Sequence, residues 1–494
     1  MAKKNAAWYG HDFGLSFRMF ITMFLLAALY LAFVVVLWQM RIDFFLLIII
    51  IGALAISQYY FSDNLVLLST GSRVLSPQQA PRLTAMVERL AQLADVPVPR
   101  LAVMPTRMPN AFATGRSPKH AVITVTQGLV DQLSDQELEA VLAHELTHIK
   151  NRDVAVITVA SFFAMIASFI VQQFFFFGLM AEEDRGRRGG QLIMFVWLAS
   201  LVVWALSYVL IRTLSRYREY AADRGSAILT GHPGYLASAL RQINTMMNRT
   251  PQRDLRQAES FNAFFIVPAI RKDSMMEIFS THPSLTHRID RLEKLQEEME
   301  KYDGLQEVMM GFFDALFGRT KIPEGKTDQI FSLSTALLDI ETRLSSTFSG
   351  KAAIVLRTVD NSSYDALERD VQQVLTLGGK DMPVTAQHVD DSQGYRWIIF
   401  SGKDPEDVIN ALHLTADMLK GAGYGDSLLA AMFGFDPTWY LIYTYRRATF
   451  YPFVPKLSHN RDSSREFRIA QTLKPYMPIE KDPERWYALW DPPF

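Results

Sequence analysis

The chain has 494 residues, 50 lysines and arginines against 51 aspartates and glutamates, ten histidines and no cysteine. A formal charge of −1 leaves no basic excess to hold a nucleic acid, and the lack of thiols excludes disulfides, cysteine nucleophiles, thiolate zinc sites and cysteine-held iron–sulfur clusters. Any metal must therefore rest on histidine and carboxylate, and a mean hydropathy of +0.06, high for a water-soluble protein, points to a mixture of membrane and soluble segments.

Four stretches lack Asp, Glu, Lys and Arg over about the length a helix needs to cross a bilayer: Met19–Gln39, Phe44–Phe61, Val154–Ala181 and Gln191–Ile211. They form two hairpins, joined by Met40–Asp43 and Glu182–Gly190. The N-terminus, Ser62–Asp153 and everything after Arg212 then share one side of the membrane. That side carries Lys3, Lys4, Arg18, Arg73, Arg82, Arg89, Arg212, Arg216 and Arg218, against Arg41, Arg185, Arg187 and Arg188 in the short loops. The bias puts the large segments in the cytoplasm. No charged residue lies inside a span, so a transporter reading finds no ion path.

Between the hairpins, Pro77–Asp95 reads as an amphipathic helix, and Arg100–Met104 and Ala121–Thr126 as short aliphatic strands. Asn110–Gly115 is short and strand-like. Ser134-Asp-Gln-Glu137 has capping-box spacing and is followed by Leu138, Val141, Leu142 and Leu146, which predicts a helix from about Asp135 to Lys150. On it sits His144-Glu145-Leu-Thr-His148. Histidines four apart share one helical face and can reach one metal ion, while Glu145 can take a proton from water beside it. This is the H-E-x-x-H arrangement of zinc peptidases.

A catalytic zinc needs a third protein ligand. The best candidate follows the fourth span, in Arg218-Glu219-Tyr-Ala-Ala-Asp223, where Glu219 and Asp223 are again four apart. Glu219 could bind the metal, and Asp223 could accept the free ring N–H of a ligating histidine. If the helices run unbroken from His148 to Val154 and from Ile211 to Glu219, the two halves of the site lie just below the membrane surface.

These residues resemble the HtpX family of membrane zinc endopeptidases and, more distantly, the CAAX prenyl-protease branch of the same superfamily. The resemblance is carried by Pro109–Gly115, Ala143–Asp153, Arg218–Asp223, and Ser280-Thr-His-Pro283 with Arg288-Ile289, over roughly residues 1–300. It implies one zinc per chain on His144, His148 and Glu219, with Glu145 as base. It implies that Asn110, Ala111, Phe112 and Ala113 form an edge strand that pairs with extended substrate. It also implies that His282 and Arg288 stand near the active site, stabilising the tetrahedral intermediate or occluding the site. Ser284 departs from the family, which often has a second proline there.

The last third changes pattern. Gly304–Gly325 is a mixed linker with an apolar patch from Met309 to Phe317. Beyond it come a helix (Ile330–Ser346), a strand (Ala352–Val359), a helix (Tyr364–Leu377), two strands (Val384–Val389 and Tyr395–Ser401), a helix (Pro405–Lys420) and two strands (Ser427–Phe435 and Trp439–Arg446). The order suggests an α+β, ferredoxin-like domain ending in an irregular tail, Ala448–Phe494. The motifs Phe312–Arg319, Gly394–Ile399, Asp407–His413 and Gly423-Tyr-Gly425 resemble the PspA-associated PspAB family, which implies a link to phage-shock-type stress proteins.

The expected architecture is thus a multi-pass α-helical membrane protein with four transmembrane helices, a zincin-type α+β protease domain and a C-terminal α+β domain. Its segments are 1–62 (N-terminal hairpin), 63–153 (protease segment with the edge strand and the H-E-x-x-H helix), 154–211 (second hairpin), 212–302 (protease segment with the third zinc ligand), 303–329 (linker) and 330–494 (regulatory domain). The expected setting is a prokaryotic inner membrane with N-terminus, protease and C-terminal domain cytoplasmic. The expected partners are the lipid bilayer, membrane-protein or unfolded polypeptide substrates and stress proteins, with no nucleic acid. The rival reading is a proteolytically inactive membrane scaffold that senses stress through its C-terminal domain.

Overall fold

The computed structural model describes residues 13–39, 66–178, 187–249, 283–304, 328–357, 384–391, 394–421, 425–457 and 460–494, with isolated positions between 49 and 60. The chain divides into two compact units. One comprises 11–76 and 99–306. The other joins 77–98 to 307–494.

The first unit is built on long apolar helices. Helix α1 (Phe13–Gln39) contains a candidate span, Gly14–Val36. A second candidate, Met194–Thr230, lies within a 44-residue helix, Arg187–Thr230. A third, Asp153–Gly178, is bent by 42° between Phe162 and Ala164. The described residues therefore hold two or three candidate spans; the stretch Phe44–Phe61 lies largely outside them. The three helices pack through Leu26, Phe33, Ile166, Val196, Val203 and Leu214, and the Tyr30 hydroxyl donates to the Ala160 carbonyl at 2.6 Å.

Beside them stands a four-stranded sheet. Strands β1 (Arg73–Val74), β2 (Arg100–Met104), β3 (Ala111–Thr114) and β4 (Val122–Thr126) run in the order β1-β2-β4-β3. β2 and β4 are parallel, and β3 lies antiparallel on β4 with Ala111 opposite Val125. Among the described residues β3 is thus an edge strand. The helix bearing the histidines spans Asp135–Lys150, with the expected capping box closed between Ser134 and Glu137. Glu137 also accepts a 2.6 Å hydrogen bond from Ser238, which ties helix Pro233–Arg249 to the start of the histidine helix.

The histidine helix ends at Lys150, as its pattern predicts, so the condition of an unbroken run from His148 to Val154 is not met. Arg152 adopts a left-handed conformation (φ 56°), and a new helix begins at Asp153.

The C-terminal residues form a six-stranded sheet: β5 (Thr347–Arg357), β6 (Thr385–Asp390), β7 (Tyr395–Ser401), β8 (Leu428–Asp436), β9 (Trp439–Thr444) and β10 (Thr449–Phe453). It is wholly antiparallel in the order β10-β9-β8-β5-β7-β6. Its first four strands follow the 4-1-3-2 order of a ferredoxin-like sheet, with helix Pro405–Leu419 connecting β7 to β8. The expected helix Tyr364–Leu377 lies outside the described residues. The expected irregular tail is wrong. Thr449–Phe453 extends the sheet and Ser463–Leu473 is a helix whose Ile469 and Leu473 enter the core, because Phe450, Tyr451 and Phe453 have apolar area to bury.

Helix Pro81–Ala94 belongs to this same unit. Its half-buried Glu88 is pushed by burial from 4.5 up to about 7, against the pull of Arg461. A raised carboxyl stabilises the unit fully below about 4.5, and that contribution is lost as pH rises through about 7. Thermal melts across this range should show the decline, and Glu88→Gln should flatten it.

Candidate active site

The histidine helix lies against the extended helix Arg187–Thr230, and two contacts fix the spacing. Ser226 Oγ donates to the Ala140 carbonyl at 2.7 Å. At Gly225, an added Cβ would fall 2.3 Å from Thr147 Cγ2, so a side chain larger than hydrogen would part the helices. Thr147 lies between Glu145 and His148 in sequence, so this close approach presents Glu219 to the two histidines.

His144, His148 and Glu219 come together with their ligand atoms all within 4.8 Å of one another. The two Nε2 atoms are 3.1 Å apart, and each stands 3.6–3.7 Å from a Glu219 oxygen. Both outer ring nitrogens face a carboxylate. His144 Nδ1 is 3.0 Å from Asp223, and His148 Nδ1 is 2.6 Å from Asp153. A proton held on each Nδ1 leaves both Nε2 lone pairs turned inward, facing each other and an anion. That arrangement calls for a cation between them.

The charge balance says the same. Glu145, Asp153, Glu219 and Asp223 are buried around the triad together with Arg218 and Arg288. Four carboxylates against two guanidiniums leave an excess of two negative charges withdrawn from water. Buried charge must be paired or bind metal. With no metal, burial disfavours the His144 charge, but Asp223 and Glu219 outweigh it and raise its pKa to about 9. A divalent cation satisfies the same carboxylates, and two imidazoles with one carboxylate are a donor set suited to zinc with a position left open.

Arg288, only 1% exposed, donates to both oxygens of Asp223 at 2.9 and 2.6 Å, and its Nη1 lies 3.4 Å from Glu219. The resemblance put it near the active site, stabilising the tetrahedral intermediate or occluding the site. Its guanidinium is committed to the carboxylates behind the metal site, where it holds Asp223 against His144. Arg291, one turn on, stacks its guanidinium over the Tyr220 ring at 4.5 Å and seats the helix Leu285–Gly304. His282 lies outside the described residues.

Asp153 and Arg218 carry roles that the sequence does not reveal by itself. Five residues on from His148, Asp153 would point about 140° away on an unbroken helix. The break at Arg152 turns it back onto His148, and Arg218 pairs with it. The signal was present only as a charged residue opening an apolar span. Asn110, Ala111, Phe112 and Ala113 stand where the edge strand was expected, with Asn110 and Thr126 exchanging hydrogen bonds at its start. A cleft lies between the end of β3 and the end of the histidine helix, lined by Ala113, Thr114, Gly115, His148, Arg152 and Val154 among others.

An H-E-x-x-H helix, a glutamate from a second helix and an edge strand beside the cleft define a zinc-dependent peptidase. Comparison with known proteins agrees. Residues 77–296 match the model of peptidase family M48, and residues 310–494 match PspAB, PspA associated protein B. The chain is 61% identical over 292 residues to a protease HtpX homolog of Moorella thermoacetica, covering 59% of this chain and 98% of that protein. It is 54% identical over 288 residues to protease HtpX homolog 2 of Methanosarcina acetivorans, covering 58% and 97%. To protease HtpX homolog 1 of Streptomyces coelicolor it is 45% identical over 289 residues, covering 58% and 95%. The chain belongs to the HtpX group of M48 zinc metalloendopeptidases and carries a C-terminal PspAB domain.

Two substitutions test the geometry. Asp153→Asn should lower zinc affinity about 10- to 100-fold, read by chelator competition, because His148 loses the carboxylate that orients it. Gly225→Ala should cost about 1–3 kcal/mol in thermal unfolding by overpacking against Thr147, with a parallel fall in bound zinc.

Proposed function

We propose that this chain is a four-span membrane endopeptidase that hydrolyses membrane or misfolded proteins at the cytoplasmic face, in membrane-protein quality control and the response to envelope stress. The observation that carries the reading is the continuity of one helix: Arg187–Thr230 contains both a candidate span and Glu219. A metal triad built on a span can act where polypeptide leaves the bilayer. The surplus of Lys and Arg on the side of the large segments supports a cytoplasmic site. The fourth span, Phe44–Phe61, rests on its composition.

When bound, zinc supplies Lewis acidity to the scissile carbonyl. Substrate pairs in extended form with Asn110–Ala113, whose outer edge offers backbone N–H and C=O groups. Glu145 takes a proton from the attacking water onto its carboxylate and delivers it to the leaving amine. Asp223 and Asp153 hold the two imidazoles, and Arg288 and Arg218 hold those carboxylates. His282 is a candidate for the oxyanion on resemblance alone. The C-terminal domain is a regulatory module through which PspA-type stress proteins act.

Purified wild type should contain about one zinc per chain and cleave an unfolded membrane-protein substrate. Glu145→Gln should keep the zinc and lose about 10²–10⁴ in kcat. Glu219→Ala should lose the zinc. Equal cleavage by wild type and Glu145→Gln would refute the role of Glu145. Wild type with full zinc and no cleavage would favour the scaffold reading.

A further inference from the structure

Helix Pro81–Ala94 belongs to the peptidase by sequence, since the M48 match begins at residue 77, yet it forms one compact unit with the C-terminal domain. The grip is concentrated at one end. Arg447 donates to both carboxylate oxygens of Asp95, at 2.7 and 3.2 Å. Arg485 Nη1 donates to the Asp95 carboxylate at 2.7 Å and to its carbonyl at 2.9 Å. Arg446 donates to the Leu93 carbonyl, and the Tyr487 hydroxyl to the Val96 carbonyl at 3.0 Å.

The chemistry of the helix end explains why these groups are there. The last carbonyls of a helix have no partners within it and form the negative pole of its dipole. Asp95 is the C-cap in a left-handed conformation (φ 56°, ψ 48°), so it adds a full negative charge where a cation is favoured. This terminus is unfavourable alone and is complemented by three arginines from the C-terminal domain. Farther along, Gln78 donates to Asn460 at 3.1 Å, and Arg89, 9% exposed, presses on Gly394, where an added Cβ would lie 2.1 Å from its guanidinium. Gly394 has φ +80°, a conformation that favours glycine.

We propose that the C-terminal domain is a receptor for the end of the peptidase's own helix Pro81–Ala94, recognised through Asp95, and that it acts on the peptidase by holding this helix. The connection is short and stiff. Only Pro97-Val98-Pro99 separates Val96 from Arg100, the first residue of β2, and two of the three have fixed φ. β2 pairs with β4, and β4 pairs with the edge strand β3. The coupling rests on the reading of β3 as the substrate strand; the grip does not.

The test uses the full-length protein in detergent or proteoliposomes. Asp95→Asn keeps a residue tolerant of the left-handed cap and removes the misplaced charge, so for the helix alone it is neutral or stabilising. If the arginines read Asp95, hydrogen exchange across residues 90–98 should instead rise about tenfold. Combining it with Arg447→Ala should add little, since both variants remove the same charge pair. KM for a peptide substrate should rise at least about threefold with kcat and zinc content unchanged. Because the chain has no cysteine, a Gln78→Cys/Asn460→Cys pair can be bridged selectively with a short bismaleimide. That bridge should form within one chain and return the KM of the Asp95→Asn protein to the wild-type value. Unchanged exchange, an unchanged KM, or a bridge that forms only between chains would overturn the proposal. If zinc-loaded wild type cleaves nothing, the peptidase reading fails, and the exchange measurement still decides the grip.

Discussion

The site depends on a charge imbalance held away from water. Glu145, Asp153, Glu219 and Asp223 outnumber Arg218 and Arg288 by two, and all six are buried around two imidazoles. Such a cluster is costly unless a cation completes it. The histidine orientations, the Asp–His pairs and the arginines behind them follow from the same requirement. Each zinc histidine has its own aspartate and each aspartate its own arginine: His144 with Asp223 and Arg288, His148 with Asp153 and Arg218. The acid load that attracts the metal thus also fixes its ligands.

The backbone brings these groups together by packing and by a break. Gly225 lets the helix carrying Glu219 approach Thr147 closely. The capping box at Ser134 and Glu137 fixes where the histidine helix starts, and Ser238 binds the same glutamate from a neighbouring helix. At the other end the helix stops at Lys150, and the left-handed Arg152 redirects the chain. Asp153 therefore opens a candidate membrane span and also orients a zinc ligand.

The PspAB domain closes its own core with residues from Ile330 to Met477, including the stretch of chain that reads as irregular from composition. Prolines and aromatics there suggested a loose tail. Burial of Phe450, Tyr451 and Phe453 outweighs that local signal, since an edge strand tolerates proline and large rings gain most from a core. The helix of residues 81–94 shows a related mismatch: its sequence belongs to the M48 match and its compact unit to the other domain.

Sequence alone determined much of this protein. Absence of cysteine restricted a metal site to histidine and carboxylate, four-residue spacing put His144 with His148 and Glu219 with Asp223 on single helical faces, and the capping box marked the helix start. These features were legible because they are local and follow from helix periodicity or from residue chemistry. Tertiary structure decided the rest. Asp153 reaches His148 only because the helix breaks between them, and Arg288 turns toward Asp223 across 65 residues. Asp95 meets Arg447 across 352. No local pattern encodes such partners, because which charge lies beside which is set by how the helices pack.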